Sequence, residues 1–406
     1  MWIDLSPLIK NRDFRYLYFG QFISLLGTMF SYVALPFQIY EITQSTFAVG
    51  LLGVVELVPL LLTAFIGGAL SDVMDRRKLL LWSELGMCLG CGLLLANSLQ
   101  AHPNVWAIYI VAGLLSALSG LHRPSLDALF PRLVSHDEIQ AASVLASLRG
   151  SVGMIGGPAL AGLCISYLGL PWTYAIDLLS FLVSLLAIAL IKSMAPIGGQ
   201  DKPSLKSIVE ALRYAMSRHE LLGTYVVDFS AMVFAMPNAL YPAIAQSLGG
   251  TKYLGWLYSA PAVGALIITI LSGWTKNIKR HGAAVIIAAT CWGLAMVAFG
   301  FAPSLLLMLL FLVIAGAADG VSGIFRLTIW NETIPDKIRG RMASLEMVSY
   351  MSGPLLGNTY AGFIASVTTT HIAITSGGSL CVVAVLLSAI LLPGFWRYNR
   401  IQKPNA

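Results

Sequence analysis

The sequence predicts an all-α membrane protein: twelve transmembrane helices in two pseudo-symmetric six-helix halves. Three observations lead there. Of 406 residues, 57% are hydrophobic and 11% charged, with a mean hydropathy of +0.79; soluble chains carry about 25% charged residues. The apolar residues fall in unalternating runs of about 20 or more, which cross about 30 Å of hydrocarbon as helices and do not read as barrel strands. The chain also echoes itself at half its length. Ser119-Gly-Leu-His-Arg123 recurs as Ser322-Gly-Ile-Phe-Arg326, an offset of 203 residues. Gly157-Pro158 with Gly162 has its counterpart in Gly353-Pro354 with Gly357 and Gly362.

In chain order, the expected first half (residues 1–194) holds spans over 14–41, 47–71, 79–100, 105–130, 138–168 and 171–194. Lys10, Arg12 and Arg15 precede a long first span, so no cleavable leader is expected. A polar connection follows at 195–218. Within it, Pro203-Ser204 opens a helix whose Leu205, Ile208, Val209 and Leu212 oppose Lys206, Glu210 and Arg213. That pattern suits a short amphipathic helix on the cytoplasmic membrane face. The second half (219–406) holds spans over 219–247, 252–275, 282–302, 304–333, 341–367 and 371–396. Of 25 Lys and Arg, 21 fall in or beside the segments this layout puts in the cytoplasm, and Lys252 alone falls in a loop opposite. Both termini are therefore expected inside. The net charge of +6 follows from that placement and not from nucleic-acid binding. Five cysteines lie in apolar runs; Cys88-Leu-Gly-Cys91 has no second ligand pair and reads as core packing.

The hairpin between spans 2 and 3 reads Gly68-Ala-Leu-Ser-Asp72-Val-Met-Asp75-Arg76-Arg77-Lys78. Gly68 admits a neighbouring helix, Asp72 caps or pairs across the loop, and Arg76, Arg77 and Lys78 mark the cytoplasmic side. This resembles the Gly-x-x-x-Asp-x-x-x-Arg-Arg/Lys loop signature of the major facilitator superfamily, where it acts as a cytoplasmic gate. Span 5 carries Gly150, Gly153, Gly156, Gly157, Pro158 and Gly162. Gly153, Gly157 and Gly162 make a groove for close helix packing and Pro158 permits a bend. The run resembles the fifth-helix antiporter motif of drug and proton exchangers in that superfamily. Asn11-Arg-Asp-Phe14-Arg15, Leu35-Pro36, Val49-Gly50-Leu51 and Phe130-Pro131-Arg-Leu-Val134 extend the likeness over essentially the whole chain. The resemblance is to the exporter branch that includes siderophore exporters and macrolide efflux pumps. It implies an inner-membrane secondary exporter working by proton antiport, with siderophore-type cargo, or alternatively a multidrug or macrolide pump on the same fold; a non-transporting membrane receptor or scaffold is the third reading, against which the ionisable groups inside the spans argue. Two departures stand out. The second-half hairpin, Ser272-Gly273-Trp-Thr-Lys276-Asn-Ile-Lys279-Arg280, has Gly273 near the place of the acid, and span 4 lacks the Arg-x-x-Gln-Gly pattern of many drug antiporters.

Ionisable groups inside the spans cost about 2.5–3.5 kcal/mol each and mark function. They are Glu56, Arg123, Asp127, Arg149, Asp177, Asp228, Asp319 and Arg326. Glu56, between Val55 and Leu57, is expected to carry a proton or to partner a buried arginine, and Asp228 and Asp319 are further coupling candidates. Tyr225, Asp228, Phe229 and Met232 share a helical face that suits an adaptable pocket or, for all but the acid, plain core. Arg123 and Asp127, four apart, are placed to pair on one helix. Asp319 lies about 10 Å along the helix from Arg326, which reads as too far for a direct pair. Arg326, with Arg149 and Arg123, is then a cation for an anionic aromatic cargo. The alternative is that both repeated arginines pair with acids on neighbouring helices. Asp177 is expected at the outer interface, and Glu84, Glu332 and Glu346 at the rim beside loop cations. With no nucleotide loop, nucleophile–base pair or metal cluster in the sequence, no enzyme, cofactor or metal is expected. The expected partners are a small-molecule substrate, protons and membrane lipid, the protein acting as a monomer.

Overall fold

The structure, a computed structural model, describes residues 4–192 and 205–399. All its regular elements are helical, with no strand among the described residues, because a chain inside lipid has to satisfy its backbone within each segment. In order they are α1 (Ser6–Lys10), α2 (Arg12–Thr43), α3 (Thr46–Val73), α4 (Arg76–Ser98), α5 (Val105–Leu129), α6 (Ile139–Tyr167), α7 (Leu170–Ala189) and α8 (Leu205–Ser217). Then come α9 (His219–Phe234), α10 (Tyr241–Ser247), α11 (Lys252–Ile270), α12 (His281–Phe301), α13 (Leu305–Thr333), α14 (Asp336–Val367), α15 (Thr370–Leu391) and α16 (Pro393–Trp396). Local chemistry sets the boundaries. The Asp75 carboxylate accepts from the Arg77 N–H at 2.9 Å and starts α4, and Asn104 accepts from Trp106 at 2.8 Å and starts α5. Gly169, at φ +87°, makes the turn between α6 and α7 that a side chain would strain.

Ten helices among the described residues are long and apolar enough to cross a membrane. The expected seventh and eleventh spans are not among them. The seventh is two pieces, α9 and α10, separated at Ala235–Pro237 by a short 3-10 turn over Asn238–Leu240. Pro237 has no N–H to give and forces the preceding residue away from helical backbone angles. The eleventh, α14, is 32 residues long, but Glu346, Ser349, Ser352, Asn358 and Thr359 dilute its apolar run. The eighth stops at Ile270 instead of 275, and Ser272–Asn277 continue as a 3-10 turn.

The chain forms two compact units: Met1–Ser45 with Val54–Pro203 and Ala245–Ser259, and Thr46–Gly53 with Ser204–Ile244 and Ala260–Ala406. Each takes a short segment from the other half of the sequence. In the first unit α2 lies against α6 and α7, and α4 against α5 and α7, around a core that includes Phe14, Leu17, Leu80, Leu129, Leu145 and Ile188. In the second, α12 lies against α13 and α15, and α9 against α14 and α15. Lipid tails are as apolar as leucine, so such cores are held by close packing and small residues more than by exclusion of water. The span 5 glycines follow that logic. Gly153 and Gly157 face Leu25 and Met29 of α2, and Gly162 faces the backbone of Gly255, 2.5 Å from where its Cβ would sit. Gly150 and Gly156 face open space. The amphipathic stretch is helical as α8, although the side chains of Leu205, Lys206, Ile208 and Val209 lie outside the described residues. Its far end packs on protein as well: Ala215 joins Leu221, Ile334 and Met342 in a core cluster, and the Tyr214 hydroxyl donates to the Thr333 carbonyl at 3.2 Å.

Candidate functional site

In the second unit the structure brings together three charges from two helices. The Arg326 guanidinium, on α13, pairs with the Asp228 carboxylate of α9 and also reaches Asp319, one of its own helix, at 3.5 Å. This corrects the expectation that Arg326 is uncompensated. A seven-residue separation measures the rise between backbones, and an arginine side chain is long enough to fold back along it. The sequence could not show that α9 brings Asp228 to the same point. Arg326 still leaves Nε buried without a hydrogen bond. Glu346 of α14 lies within the electrostatic reach of Arg326 and Asp228. The other residues of the α9 face separate. The Tyr225 ring packs on Trp330 with centroids 5.1 Å apart and its hydroxyl is buried without a partner. Met232 meets Gly353 and Gly357 of α14. Phe229 is exposed.

In the first unit Arg123 and Asp127 pair along α5 at 3.4 Å, both largely exposed. Arg149 of α6 differs. Its Nε and Nη1 are buried with no hydrogen-bond partner, and its guanidinium lies 6.0 Å from the centroid of the Phe130 ring. Glu56 of α3 is half-buried; its backbone carbonyl accepts from Ser116 at 2.7 Å, and its carboxylate has no hydrogen bond or ion pair among the described residues.

Two acids occupy places the sequence did not indicate. Glu84 is fully buried, and its Oε1 accepts from Gln21 at 2.6 Å and Ser184 at 3.0 Å, with His122 Nε2 at 3.1 Å. Its distance into α4, eight residues past Arg76, carries it below the cationic rim. Asp177 is buried too: Ser31 and the Cys91 thiol donate to Oδ2, and Ser180 donates to Oδ1 at 3.3 Å. Gly27 of α2 makes this possible, since a Cβ there would sit 1.9 Å from the Ser180 hydroxyl. Repeated Ser and Gly along spans 1 and 6 were the available signal. Glu332, in turn, accepts from the Tyr398 hydroxyl at 3.0 Å and faces the buried His281 at 3.7 Å, so its partners are not loop cations.

The side chains of Gly68 and Asp72 lie outside the described residues. Their cationic neighbours do not. Arg76 donates to the Ala128 carbonyl at 3.1 Å, and Arg77 donates to Ile188 at 3.0 Å and Ala189 at 2.5 Å. The acceptors are the final carbonyls of α5 and α7, where the helix leaves acceptors unpaired and partial negative charge accumulates. Arg77→Ala is expected to lower stability by about 1.5–3 kcal/mol, the range for lost hydrogen bonds to a charged group, read from thermal unfolding in detergent. An unchanged unfolding temperature would mean these contacts hold nothing.

Long apolar helices with ionic clusters in their interiors define a multi-pass membrane transporter. The profile of the transmembrane secretion effector family of the major facilitator superfamily matches residues 3–402, and the chain belongs to that family. It is 26% identical over 394 residues to the enterobactin exporter EntS of Shigella dysenteriae serotype 1, covering 96% of this chain and 94% of that protein. It is 27% identical over 393 residues to the EntS of Citrobacter koseri, with the same coverage. Solved structures share the fold at low identity. A POT family transporter in complex with a thioalcohol-conjugated peptide superposes with a TM-score of 0.76 at 13% identity, over 95% of this chain and 96% of that one. A bacterial homologue of the iron transporter ferroportin, in an inward-facing state, gives 0.70 at 15%, over 95% and 98%. The chain is a membrane exporter and not an enzyme.

Proposed function

We propose that the protein is a monomeric, proton-coupled exporter of the bacterial inner membrane, moving a small anionic, aromatic molecule of the siderophore type. In this reading twelve spans cross the membrane with both termini cytoplasmic, in halves 1–194 and 219–406 joined by 195–218. The helix 2–3 hairpin, through Gly68, Asp72, Arg76 and Arg77, gates the cytoplasmic side. Gly153, Gly157, Pro158 and Gly162 are the packing surface on which α6 moves.

The observation that carries the cargo reading is Arg149. A guanidinium cannot shed its charge, and two of its buried nitrogens lack an acceptor beside an aromatic ring. A catecholate supplies both the oxygens and the ring face. The relatives named enterobactin exporters favour the same cargo. Proton coupling draws on acids in excess of cations: Asp228 and Asp319 share the single charge of Arg326, so a proton on either acid relieves the imbalance, and Glu56 is a third carrier candidate. The neutralised state of Arg326 favours a second reading, a multidrug pump with less anionic cargo in which Phe229 and Met232 line an adaptable wall.

The test is equilibrium binding of metal-free enterobactin, erythromycin and tetraphenylphosphonium to the purified protein. Enterobactin is expected to bind best, and Arg149→Ala to weaken it roughly tenfold or more, as for about 1.5–3 kcal/mol from a lost charged hydrogen bond. Normal binding in that variant, or preference for the lipophilic cation, transfers support to the multidrug pump.

A further inference from the structure

We propose that Glu84 and His122, joined across α4 and α5 inside the first unit, form a proton-binding site loaded through His122. This rests on the proton-coupled reading above and adds a site to it. The Glu84 side chain is 0% exposed while that of His122 is 14% exposed. His122 is thus the less enclosed end of the pair.

The hydrogen bonding is lopsided. Gln21 and Ser184 donate to Oε1, and His122 Nε2 stands 3.1 Å from the same atom. Oε2 is buried and has no partner. A carboxylate serving only as a structural hub would share its donors between both oxygens, as Asp177 does with Ser31, Cys91 and Ser180. Glu84 instead leaves half its acceptor capacity unmet, with Oε2 buried and open to a further donor. Nor does a permanent cation answer it. Among the described residues α2 presents neutral Gln21, α5 presents His122, and α7 presents Ser184 and, one field away, the acid Asp177. Cys88 on α4 feels both acids. Arg77, two turns toward the start of α4, is committed to the Ile188 and Ala189 carbonyls. His122 is thus the group through which positive charge reaches Glu84, and imidazole is the side chain that ordinarily gains and loses a proton within the physiological range.

The proton movement balances in two steps. His122 takes a proton on Nδ1 and becomes an imidazolium whose Nε2–H faces the Glu84 carboxylate, a neutral pair. Transfer of the Nε2 proton to Oε1 then leaves a neutral acid and a neutral imidazole protonated on Nδ1. Release runs in reverse.

The test uses full-length protein in lipid nanodiscs and protons as the only ligand. Infrared difference spectra are recorded as pH falls from about 8 to about 5, the interval in which histidine acts as a switch. A protonated-carboxyl stretching band is expected to grow in and to lose a component in Glu84→Gln. In His122→Gln, which keeps a donor but cannot titrate, the midpoint of that component is expected to move by about one pH unit or more, as for coupled groups. A band identical in wild type and Glu84→Gln, or a midpoint unmoved in His122→Gln, overturns the proposal. Should Glu84→Gln fail to fold, nitrogen chemical shifts of labelled histidine in the unmodified protein decide: His122 has to titrate in this interval, and a flat response overturns the proposal. Cargo flux indifferent to a proton ionophore would remove the coupling reading while leaving the spectra to judge the dyad.

Discussion

Arg326→Met is expected to lower stability by about 3–5 kcal/mol, the range for removing one partner of a buried ion pair. The cation stands between two acids. Its own side chain is 18% exposed, that of Asp228 14% and that of Asp319 41%. Methionine keeps much of the stem and removes the charge, which leaves Asp228 without its counterion. Asp319, more exposed and at the limit of hydrogen-bond distance, contributes the smaller part. The double variant Arg326→Met/Asp228→Leu should recover most of the loss, because an ion pair replaced whole by apolar groups is often neutral. Denaturant unfolding of the three proteins in mixed micelles measures both numbers. A single-variant loss under about 1 kcal/mol, the value for exposed pairs, would mean the cluster is solvated and is no functional core.

Gly316→Leu is expected to cost about 3 kcal/mol or more, at or beyond the upper end of the usual range for overpacking. The reason is the crossing of α11 and α13. A Cβ on Gly316 would lie 1.8 Å from the Pro261 carbonyl oxygen, and one on Gly264 would lie 1.9 Å from that of Val313. Both obstacles are backbone, so a larger residue has to move a helix, not a rotamer. Gly316→Ala should show most of the effect. Gly323, on the same helix, is the control: its nearest neighbour is the Arg326 guanidinium at 3.9 Å. Alanine there is expected to be neutral or to gain up to about 1 kcal/mol from helix propensity. Equal responses at 316 and 323 would sink the argument from packing.

The class of fold was legible because lipid imposes one rule on every segment, and runs such as Leu305–Ile314 obey it without ambiguity. The break in the seventh span was written in Pro237 but hidden by the continuous hydropathy around it. Partnerships were the illegible part. Nothing in the spacing of Asp228 and Arg326, 98 residues apart, says that their helices meet. Glu84 was misplaced for a related reason. Proximity to Arg76–Lys78 in sequence suggested a rim, whereas two further turns of helix put it among Gln21, His122 and Ser184. The Arg123–Asp127 pair on α5 was readable because both charges lie on one helix, where four-residue spacing alone fixes the geometry.

The arginines that close α5 and α7 also have a history within synthesis. As a newly made chain enters the membrane, a cationic loop resists being carried across and so orients the helices on either side. In the cytoplasmic placement proposed for this hairpin, Arg77 would serve there long before its final acceptors exist, since Ile188 and Ala189 are translated more than 100 residues later. On that proposed topology the same guanidinium would first set direction, and in the folded chain it ties the end of α7 to the start of α4. Lysine retains the charge that sets direction, but its single ammonium cannot reproduce the fork that holds two carbonyls at once. Arg77→Lys should therefore yield chains threaded correctly yet late or loose in assembly, separating biogenesis from final fit at one residue.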